Sequence, residues 1–385
     1  MTSEPTPKRR LLIATDNFLP RWDGIARFLS EIIPRLQEEY DITVVAPDFG
    51  VYEDPTITLV KIPLSRIWKV GDFRPAKFKR GLIRDLVHRS DIIFTQTIGP
   101  IGSLAIKESK RQRRPVAAFI HSIEWELVPK AMRTPLLRKY IQVLTKRIAR
   151  SLYNKCTLLI VPSSSTEELF HWNAIHTKSR IVHLGVDTVK FIPLTPERRM
   201  ELRSQLGFLE TDIVIGYHGR ISREKDLITL LRAFSRIQIK YPNSKLLIVG
   251  DGLESIKKQF MNRHQVILVG SKNNPVPYLQ AMDIYCLTSL TETTCLSMLE
   301  AMSCALPAIT TEVGFVRNYV RNGINGLFFP KQNPYYLARQ IERLIADPLL
   351  RFKIGENARR SVMEQFSWDK TAEGIKDALD EIGKR

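Results

Sequence analysis

Asp283-Ile284-Tyr285-Cys286-Leu287-Thr288, followed from position 292 by Glu292-Thr293-Thr294-Cys295-Leu296-Ser297-Met298-Leu299-Glu300-Ala301-Met302, contains both halves of one structural unit. The first run is short, apolar and bounded by polar residues, which predicts a buried strand. In the second, Leu296, Leu299, Ala301 and Met302 recur at helical spacing, so a helix is expected from Leu296. Glu292 then falls on the strand-to-helix loop and Glu300 one to two turns into the helix. The backbone N–H groups of Thr293, Thr294, Cys295 and Leu296 would be donors at a helix N-terminus, where an anion such as a diphosphate can sit. The two carboxylates would repel phosphate but can accept hydrogen bonds from sugar hydroxyls on either side of it. The spacing therefore suits a nucleotide-sugar. It also suits an ordinary buried strand–loop–helix with two solvated glutamates.

The same β-then-α signal extends in both directions. Arg10–Thr15 reads as a strand and Gly24–Leu36 as an amphipathic helix, and further strands are expected at 42–46, 57–62, 91–95, 116–120 and 158–161. The rhythm breaks around Gly185–Pro196 and restarts at Ile213–Tyr217, with strands at 245–250, 266–269, 284–287 and 308–310. Helical patterns close the chain at 335–345, 349–364 and 368–382. Alternating β and α elements predict parallel sheets covered by helices, and two rounds of them predict an α/β protein of two Rossmann-like domains. The expected organisation is a disordered tail at 1–9, a first domain at 10–190, a second at 191–367, and a final helix at 368–385 packing back on the first. A ligand cleft is expected between the domains, at the carboxyl ends of the strands.

A chain of 385 residues suits two domains, and 44% hydrophobic content allows a sizeable core. No apolar run approaches the roughly 18–20 residues needed to span a bilayer. The polar stretch Met1–Arg10 lacks the apolar core of a secretory signal. Cys156, Cys286, Cys295 and Cys304 form no CxxC pair, so reduced, buried thiols are expected rather than a disulfide or zinc site. A cytoplasmic setting follows as an expectation.

The formal charge is +18 and is unevenly spread. Residues 61–90 carry nine Lys/Arg against two Asp/Glu, and residues 107–155 carry thirteen against three, which together hold almost the whole excess. A one-sided basic field calls for an anionic partner, either nucleic acid or an anionic membrane surface. Two stretches interleave cations with apolar groups. Ser65–Arg80 contains Trp68, Lys69, Phe73, Arg74, Lys77, Lys79 and Arg80. Met132–Tyr153 sets Leu136, Leu137, Tyr140, Ile141, Leu144 and Ile148 at helical spacing beside Arg138, Lys139, Lys146, Arg147 and Arg150. Both suit adsorption to anionic lipid headgroups, although the second also reads as a core helix with a solvated basic face. No nucleic-acid partner is expected, because no helix-turn-helix, RRM-like or zinc pattern accompanies the charge.

Four further motifs carry possible chemistry. Gly219-Arg220-Ile221-Ser222-Arg223-Glu224-Lys225 places a planar guanidinium and an ammonium five residues apart after a strand, where they can neutralise a diphosphate leaving group. A basic loop capped by Ser222 is the alternative. Gly250-Asp251-Gly252 resembles part of a dinucleotide fingerprint, but its third position is Ser255, which favours a plain tight turn. Asp23-Gly24 opens the first helix, with Gly24 allowing close approach of a ligand and Asp23 a simple N-cap. His121 stands at the end of a strand in the cluster His121-Ser122-Ile123-Glu124, where it can hydrogen-bond a hydroxyl or hold a proton, or be an ordinary surface histidine.

Taken together, these motifs resemble the family-4 glycosyltransferases, retaining enzymes of the GT-B fold, from about Arg10 to Trp368. Gly219-Arg220…Glu224-Lys225 is similar to the family's G-R-x-x-x-E-K segment, and Glu292…Glu300-Ala301-Met302 to its E-x7-E signature. Asn325-Gly326-Leu327 and Leu184-Gly185-Val186-Asp187…Phe191 match further family segments. The resemblance implies that Arg220 and Lys225 bind the donor diphosphate, that Glu300 holds the ribose and that Glu292 contacts the donor sugar. The amides of Thr293, Thr294, Cys295 and Leu296 would support sugar and phosphate, with His121 beside the sugar and Gly24 near the phosphates. It implies a transfer that retains anomeric configuration and needs no cofactor and no metal. The sequence departs from the family in three places. Asp23-Gly24 stands for Gly-Gly, Glu292-Thr293-Thr294-Cys295 for E-G-F-G, and Cys304-Ala305-Leu306-Pro307 for c-G-x-P. The second change leaves the donor's identity open.

Within the family, the basic N-terminal half resembles enzymes that glycosylate lipids at the cytoplasmic membrane face, such as diacylglycerol glucosyltransferases and phosphatidylinositol mannosyltransferases. The expected partners are therefore a nucleotide-sugar donor, UDP-linked with GDP-mannose as the alternative, and a lipid acceptor on an anionic membrane. The competing expectations are a soluble sugar or oligosaccharide acceptor, and a catalytically silent nucleotide-sugar or nucleic-acid binding protein.

Overall fold

The computed structural model describes residues 8–21, 23–65, 74–130, 135–292 and 294–384. It divides the chain into two compact units, Met1–His183 with Trp368–Arg385, and Leu184–Ser367.

The first unit runs β1 (Arg9–Ala14), α1 (Gly24–Leu36), β2 (Tyr40–Pro47), β3 (Thr58–Ile62), α2 (Arg80–Arg89), β4 (Ile92–Thr95), α3 (Pro100–Gln112), β5 (Val116–Phe119), α4 (Glu124–Lys130), α5 (Pro135–Tyr153), β6 (Leu158–Val161), α6 (Ser164–Trp172) and β7 (Ser179–Ile181). Among the described residues its sheet is seven-stranded and parallel, in the order β3-β2-β1-β4-β5-β6-β7. The inner strands are apolar on both faces, as a sheet covered on both sides requires: Ile92–Thr95, Val116–Phe119 and Leu158–Val161 are buried throughout. The C-terminal helix, Trp368–Gly383, buries Trp368, Thr371, Ala372, Ile375, Ala378, Leu379 and Ile382. It is tied to β1 and β2 by Arg9 and by Tyr40, whose hydroxyl donates to Asp380 at 2.7 Å. At Gly374 an added Cβ would lie 3.1 Å from the Val182 side chain, so the helix lies close against the chain there.

The second unit runs α7 (Pro196–Gln205), β8 (Ile213–His218), a 3-10 turn (Arg223–Lys225), α8 (Leu227–Lys240), β9 (Ser244–Val249), α9 (Glu254–Lys257), β10 (Val266–Leu268), α10 (Val276–Ala281), β11 (Ile284–Leu287), α11 (Leu296–Ser303), β12 (Ala308–Thr311), α12 (Val316–Tyr319), β13 (Leu327–Phe329), α13 (Pro334–Ala346) and α14 (Pro348–Gln365). Its strands pair in parallel in the order β10-β9-β8-β11-β12-β13. Both units are therefore the expected Rossmann-like α/β layers.

Each sheet reverses its winding at one place, between β1 and β4 in the first and between β8 and β11 in the second. At such a reversal the loops leaving the two strands diverge to opposite faces and open a crevice at their carboxyl ends. Gly219–Lys225 leaves β8 and Thr288–Cys295 leaves β11. Asp16–Asp23 leaves β1 and Gln96–Gly99 leaves β4.

Three elements had weak sequence signals. β7 and β13 are three residues long. α7 reads as polar linker because it is held by charge rather than by an apolar stripe. Arg199 and Arg203 both reach Asp283, at 2.8 and 3.0 Å, and Arg199 also donates to the carbonyl of Met282 at 2.8 Å.

Candidate active site

In the second unit, the β8 and β11 loops are knitted into one surface. The Leu290 amide donates to the Glu224 carbonyl at 2.7 Å, and Thr288 Oγ1 donates to the Lys225 carbonyl at 2.7 Å. Tyr217, at 0% exposure, donates its hydroxyl to the Arg220 carbonyl at 2.9 Å. Gly250 (φ +148°) explains the glycine-rich turn after β9: a Cβ there would stand 1.8 Å from the Gly219 carbonyl oxygen. The Gly250-Asp251-Gly252 segment thus packs as a tight turn against the β8 loop, and Asp251 is taken by Lys257 at 2.6 Å.

Lys225 and Glu292 are brought together. Lys225 Nζ lies 2.5 Å from Glu292 Oε1, and Ser289 Oγ donates to the same oxygen at 2.5 Å. The side chains are 15% and 8% exposed. An ammonium has three donors and a carboxylate two oxygens. Among the described residues, the bonds to Glu292 fall on Oε1, which leaves Oε2 as an acceptor, and one Lys225 donor is engaged. Arg220 is well exposed and lies 3.1 Å from Glu224, apart from that pair. Ser222 occupies the N-cap position of a 3-10 turn over Arg223–Lys225, without a hydrogen bond from its side chain to the cap amides.

α11 begins at Leu296, as its periodicity predicts. Cys295 precedes it, buried, with Sγ 3.4 Å from Ser297 Oγ. Burial pushes the Cys295 thiol up to about 12, so it is a neutral thiol at physiological pH. Thr294 lies on the loop before it, and Thr293 lies outside the described residues. Glu300 is 1% exposed inside α11, and His218 Nδ1 approaches its Oε2 at 3.3 Å. His218 escaped the sequence reading because it belongs to no charged or glycine-rich motif; its position as the last residue of β8 was the available signal.

In the first unit, His121 follows β5 with its ring against Phe119 (4.6 Å) and Phe28 (4.8 Å). Its Nε2 is 2.8 Å from Gln96 Oε1. Burial lowers its pKa to about 3, so the imidazole is neutral and can donate or accept but does not carry a charge near neutral pH. Glu124, from the same cluster, accepts from the Tyr153 hydroxyl at 2.7 Å, and burial raises its pKa to about 7. Asp23 caps α1 through Ile25 N and Ala26 N, both at 2.9 Å, and a Cβ on Gly24 would meet nothing within 4 Å. Gly24 therefore offers open room beside amides that a carboxylate already occupies.

Asp16 is a residue the sequence reading missed. It is 2% exposed and accepts from Thr97 Oγ1 (2.5 Å), Ile101 N (2.9 Å) and Gly102 N (3.2 Å), which caps α3 from the end of β1. Burial raises its pKa. The cap comes from a residue 85 positions away, so local capping patterns around Pro100 give no sign of it.

Of the basic stretches, Trp68, Lys69 and Phe73 lie outside the described residues. Arg74, Lys77, Lys79 and Arg80 are exposed, and Arg80 lies 2.8 Å from Glu108. Phe78 among them is 61% exposed. In α5, Tyr140, Val143, Leu144 and Ile148 are exposed at 69, 45, 45 and 47%. Tyr140, Leu144 and Ile148 form one row at i, i+4 and i+8, with Lys139, Lys146, Arg147 and Arg150 exposed beside it. That outward apolar row departs from a core helix with a purely basic outer face. Among the described residues no helix is long and apolar enough to cross a membrane, and no cluster of three His, Cys, Asp or Glu side chains is placed to hold a metal.

Comparison with known proteins matches both halves. Residues 22–190 match the model "Glycosyltransferase Family 4", and residues 198–361 match "Glycosyl transferases group 1". An uncharacterized glycosyltransferase of Methanocaldococcus jannaschii is 28% identical over 58% of this chain and 59% of that one. Alpha-monoglucosyldiacylglycerol synthase of Acholeplasma laidlawii is 24% identical over 91% of this chain and 92% of that one. A GDP-mannose-dependent monoacylated phosphatidylinositol monomannoside mannosyltransferase of Corynebacterium glutamicum is 24% identical over 96% and 98%. The solved structure of Anabaena HepE, in complex with UDP and glucose, superposes with a TM-score of 0.76 at 20% identity, covering 97% of this chain and 100% of that one.

Proposed function

The chain belongs to the family-4 glycosyltransferases, with the GT-B fold, and we propose that it transfers a hexose from a nucleotide-sugar to a membrane lipid with retention of anomeric configuration. The observation that carries the donor half is the Lys225–Glu292 pair at the β8/β11 reversal. In this reading Arg220 and the unengaged donors of Lys225 take the diphosphate. They meet the charge that develops on it as the bond to the sugar C1 breaks. Glu292 Oε2 accepts from a sugar hydroxyl, while Oε1 stays on Lys225 and Ser289. The amides of Thr293, Thr294, Cys295 and Leu296 support sugar and phosphate, and Glu300 takes the ribose hydroxyls. His121, neutral, hydrogen-bonds a donor-sugar hydroxyl, and Gly24 supplies room near the phosphates. The new bond joins C1 to the acceptor oxygen, and the acceptor proton leaves with the diphosphate.

The lipid acceptor is supported by the exposed apolar row of α5 beside its cations, by the exposed Arg74, Lys77, Lys79 and Arg80, and by the lipids in the names of the Acholeplasma and Corynebacterium relatives. Trp68, Lys69 and Phe73 belong to the same proposed surface. We infer peripheral attachment to the inner membrane face, each basic residue there contributing about 1 kcal/mol. A UDP-linked hexose is the donor we favour, with GDP-mannose the second choice on the strength of the Corynebacterium relative.

The test is transfer from UDP-glucose, UDP-galactose and GDP-mannose to a lipid extract containing diacylglycerol and phosphatidylinositol, with mass readout and NMR of the anomeric proton. A glycolipid product of inverted configuration refutes retention. Transfer to soluble sugars only, without binding to anionic vesicles, refutes the lipid acceptor.

A further inference from the structure

In the first unit, the reversal between β1 and β4 is bounded by Gln96, the residue after β4, whose backbone amide donates to the Ala14 carbonyl of β1 at 3.0 Å. Gln96 is 2% exposed. β5 runs along the other edge of β4, with Thr95 opposite Ala118, and His121 lies two residues beyond its end. The Gln96 side chain spans from one strand end to the other: its Oε1 lies 2.8 Å from His121 Nε2. Phe28 and Phe119 pack against the imidazole, at 4.8 and 4.6 Å between ring centroids, and carry no polar atom. Among the described residues Gln96 is the hydrogen-bond partner of the ring, and Nδ1 has none.

A neutral imidazole has one N–H and one lone pair, and the partner of one nitrogen decides what the other can do. An amide oxygen only accepts. With Oε1 facing it, Nε2 carries the proton and Nδ1 is left as the acceptor. Gln96 Nε2 is buried without a partner. Turning the amide over would pair that nitrogen, leave Oε1 unpaired and force the opposite tautomer, so the two orientations give Nδ1 opposite roles.

We propose that Gln96 is a positioning residue: its carbonyl holds His121 in the Nε2–H form, so that Nδ1 accepts a hydrogen bond from a hydroxyl of the donor sugar. A hydroxyl can supply that bond, whereas an ether oxygen or a carboxylate at the same place has no proton to give. The inference rests on the reading of His121 as a donor-sugar ligand. It adds a residue from outside the family motifs and gives the hydrogen bond a direction.

Long-range proton–nitrogen correlation spectra of the full chain, labelled at histidine, read which ring nitrogen bears the proton, with His121→Ala identifying the signals. The wild-type protein is expected to show His121 protonated at Nε2 alone. Gln96→Met, which keeps the length of the side chain without its carbonyl, is expected to show both tautomers. Gln96→Glu keeps an acceptor and is expected to hold the proton on Nε2 and to raise the titration midpoint of the ring. Calorimetry with UDP-glucose and GDP-mannose, each paired with its bare nucleoside diphosphate, reads the use made of Nδ1. Gln96→Met is expected to bind the nucleotide-sugar about tenfold more weakly, with the bare diphosphate unaffected. The inference is overturned by a wild-type proton on Nδ1, by an unchanged single tautomer in Gln96→Met, by an unmoved midpoint in Gln96→Glu, or by equal losses for nucleotide-sugar and bare diphosphate. His121→Ala separates the two ideas. If it leaves the ratio of the two affinities unchanged, the sugar reading itself is wrong. If it changes the ratio while Gln96→Met does not, only the Gln96 inference falls. Failure of the wild-type protein to bind any of these nucleotides refutes both. Urea midpoints of all variants check that each is folded.

Discussion

Lys225 Nζ lies 2.5 Å from Glu292 Oε1, and both side chains are more than four-fifths buried. The residue expected on the diphosphate and the residue expected on the sugar are therefore one electrostatic unit before any ligand arrives. Breaking such a pair leaves an uncompensated charge, whereas removing both partners does not. Lys225→Met alone and Glu292→Gln alone are each expected to lower stability by about 2–4 kcal/mol, the double variant by less than either single one. All three are expected to lose at least about 100-fold in transfer rate. Urea denaturation of the four proteins checks the first statement, and purely additive stability losses would contradict it.

Glu124 gives a pH dependence with a definite sign. Its folded pKa is raised by burial to about 7 from an ordinary 4.5. A raised carboxyl contributes stability that is fully present below about pH 4.5 and is lost as pH climbs to about 7. Relative to wild type, Glu124→Gln keeps an acceptor for the Tyr153 hydroxyl but cannot ionise. The wild-type protein is expected to lose about 1–3 kcal/mol more than this variant between pH 5 and pH 8. Parallel pH-dependence curves for the two proteins would overturn the assignment.

His121, by contrast, is held neutral. With its pKa lowered to about 3, its ring proton resonances should stay constant from pH 8 to pH 5 while exposed histidines titrate. A midpoint for His121 near 6.5 would restore a proton-carrying role.

The α5 row leads to a separable expectation for membranes. Replacing Tyr140, Leu144 and Ile148 by Ser should abolish binding to anionic vesicles at physiological salt while leaving hydrolysis of the soluble donor within about twofold of wild type. Replacing Lys146, Arg147 and Arg150 by Gln should weaken vesicle binding by about 3 kcal/mol and flatten its salt dependence. Vesicle cosedimentation at two salt concentrations reads both, and unchanged binding in either variant would remove α5 from the membrane surface.

What was legible in the sequence follows physical lines. Strands buried on both faces, such as Ile92–Thr95 and Ile284–Leu287, announce themselves by unbroken apolar runs, and the α11 helix by its 3.6-residue period. Edge strands β7 and β13 are too short to carry a period. α7 escapes because Arg199 and Arg203 fasten it through Asp283, a bond formed across 80 or more positions. The site divides in the same way. Arg220, Lys225, Glu292 and Glu300 lie in dense local motifs, whereas Asp16 acts through partners far off in sequence, the amides of α3.

The first unit is assembled from both ends of the chain, Met1–His183 and Trp368–Arg385. During synthesis, its sheet and most of its helices emerge before the second unit does. The helix that covers Val182 and fastens Arg9 and Tyr40 is made only after the second unit. The earlier-born domain is thus the later one to be completed, and the apolar face that receives Trp368, Ile375 and Leu379 waits for its cover until the second unit has been made. A fragment ending at His183 would be born with that face bare, so separate expression of the two units calls for a circular permutant that joins the last helix to residue 8.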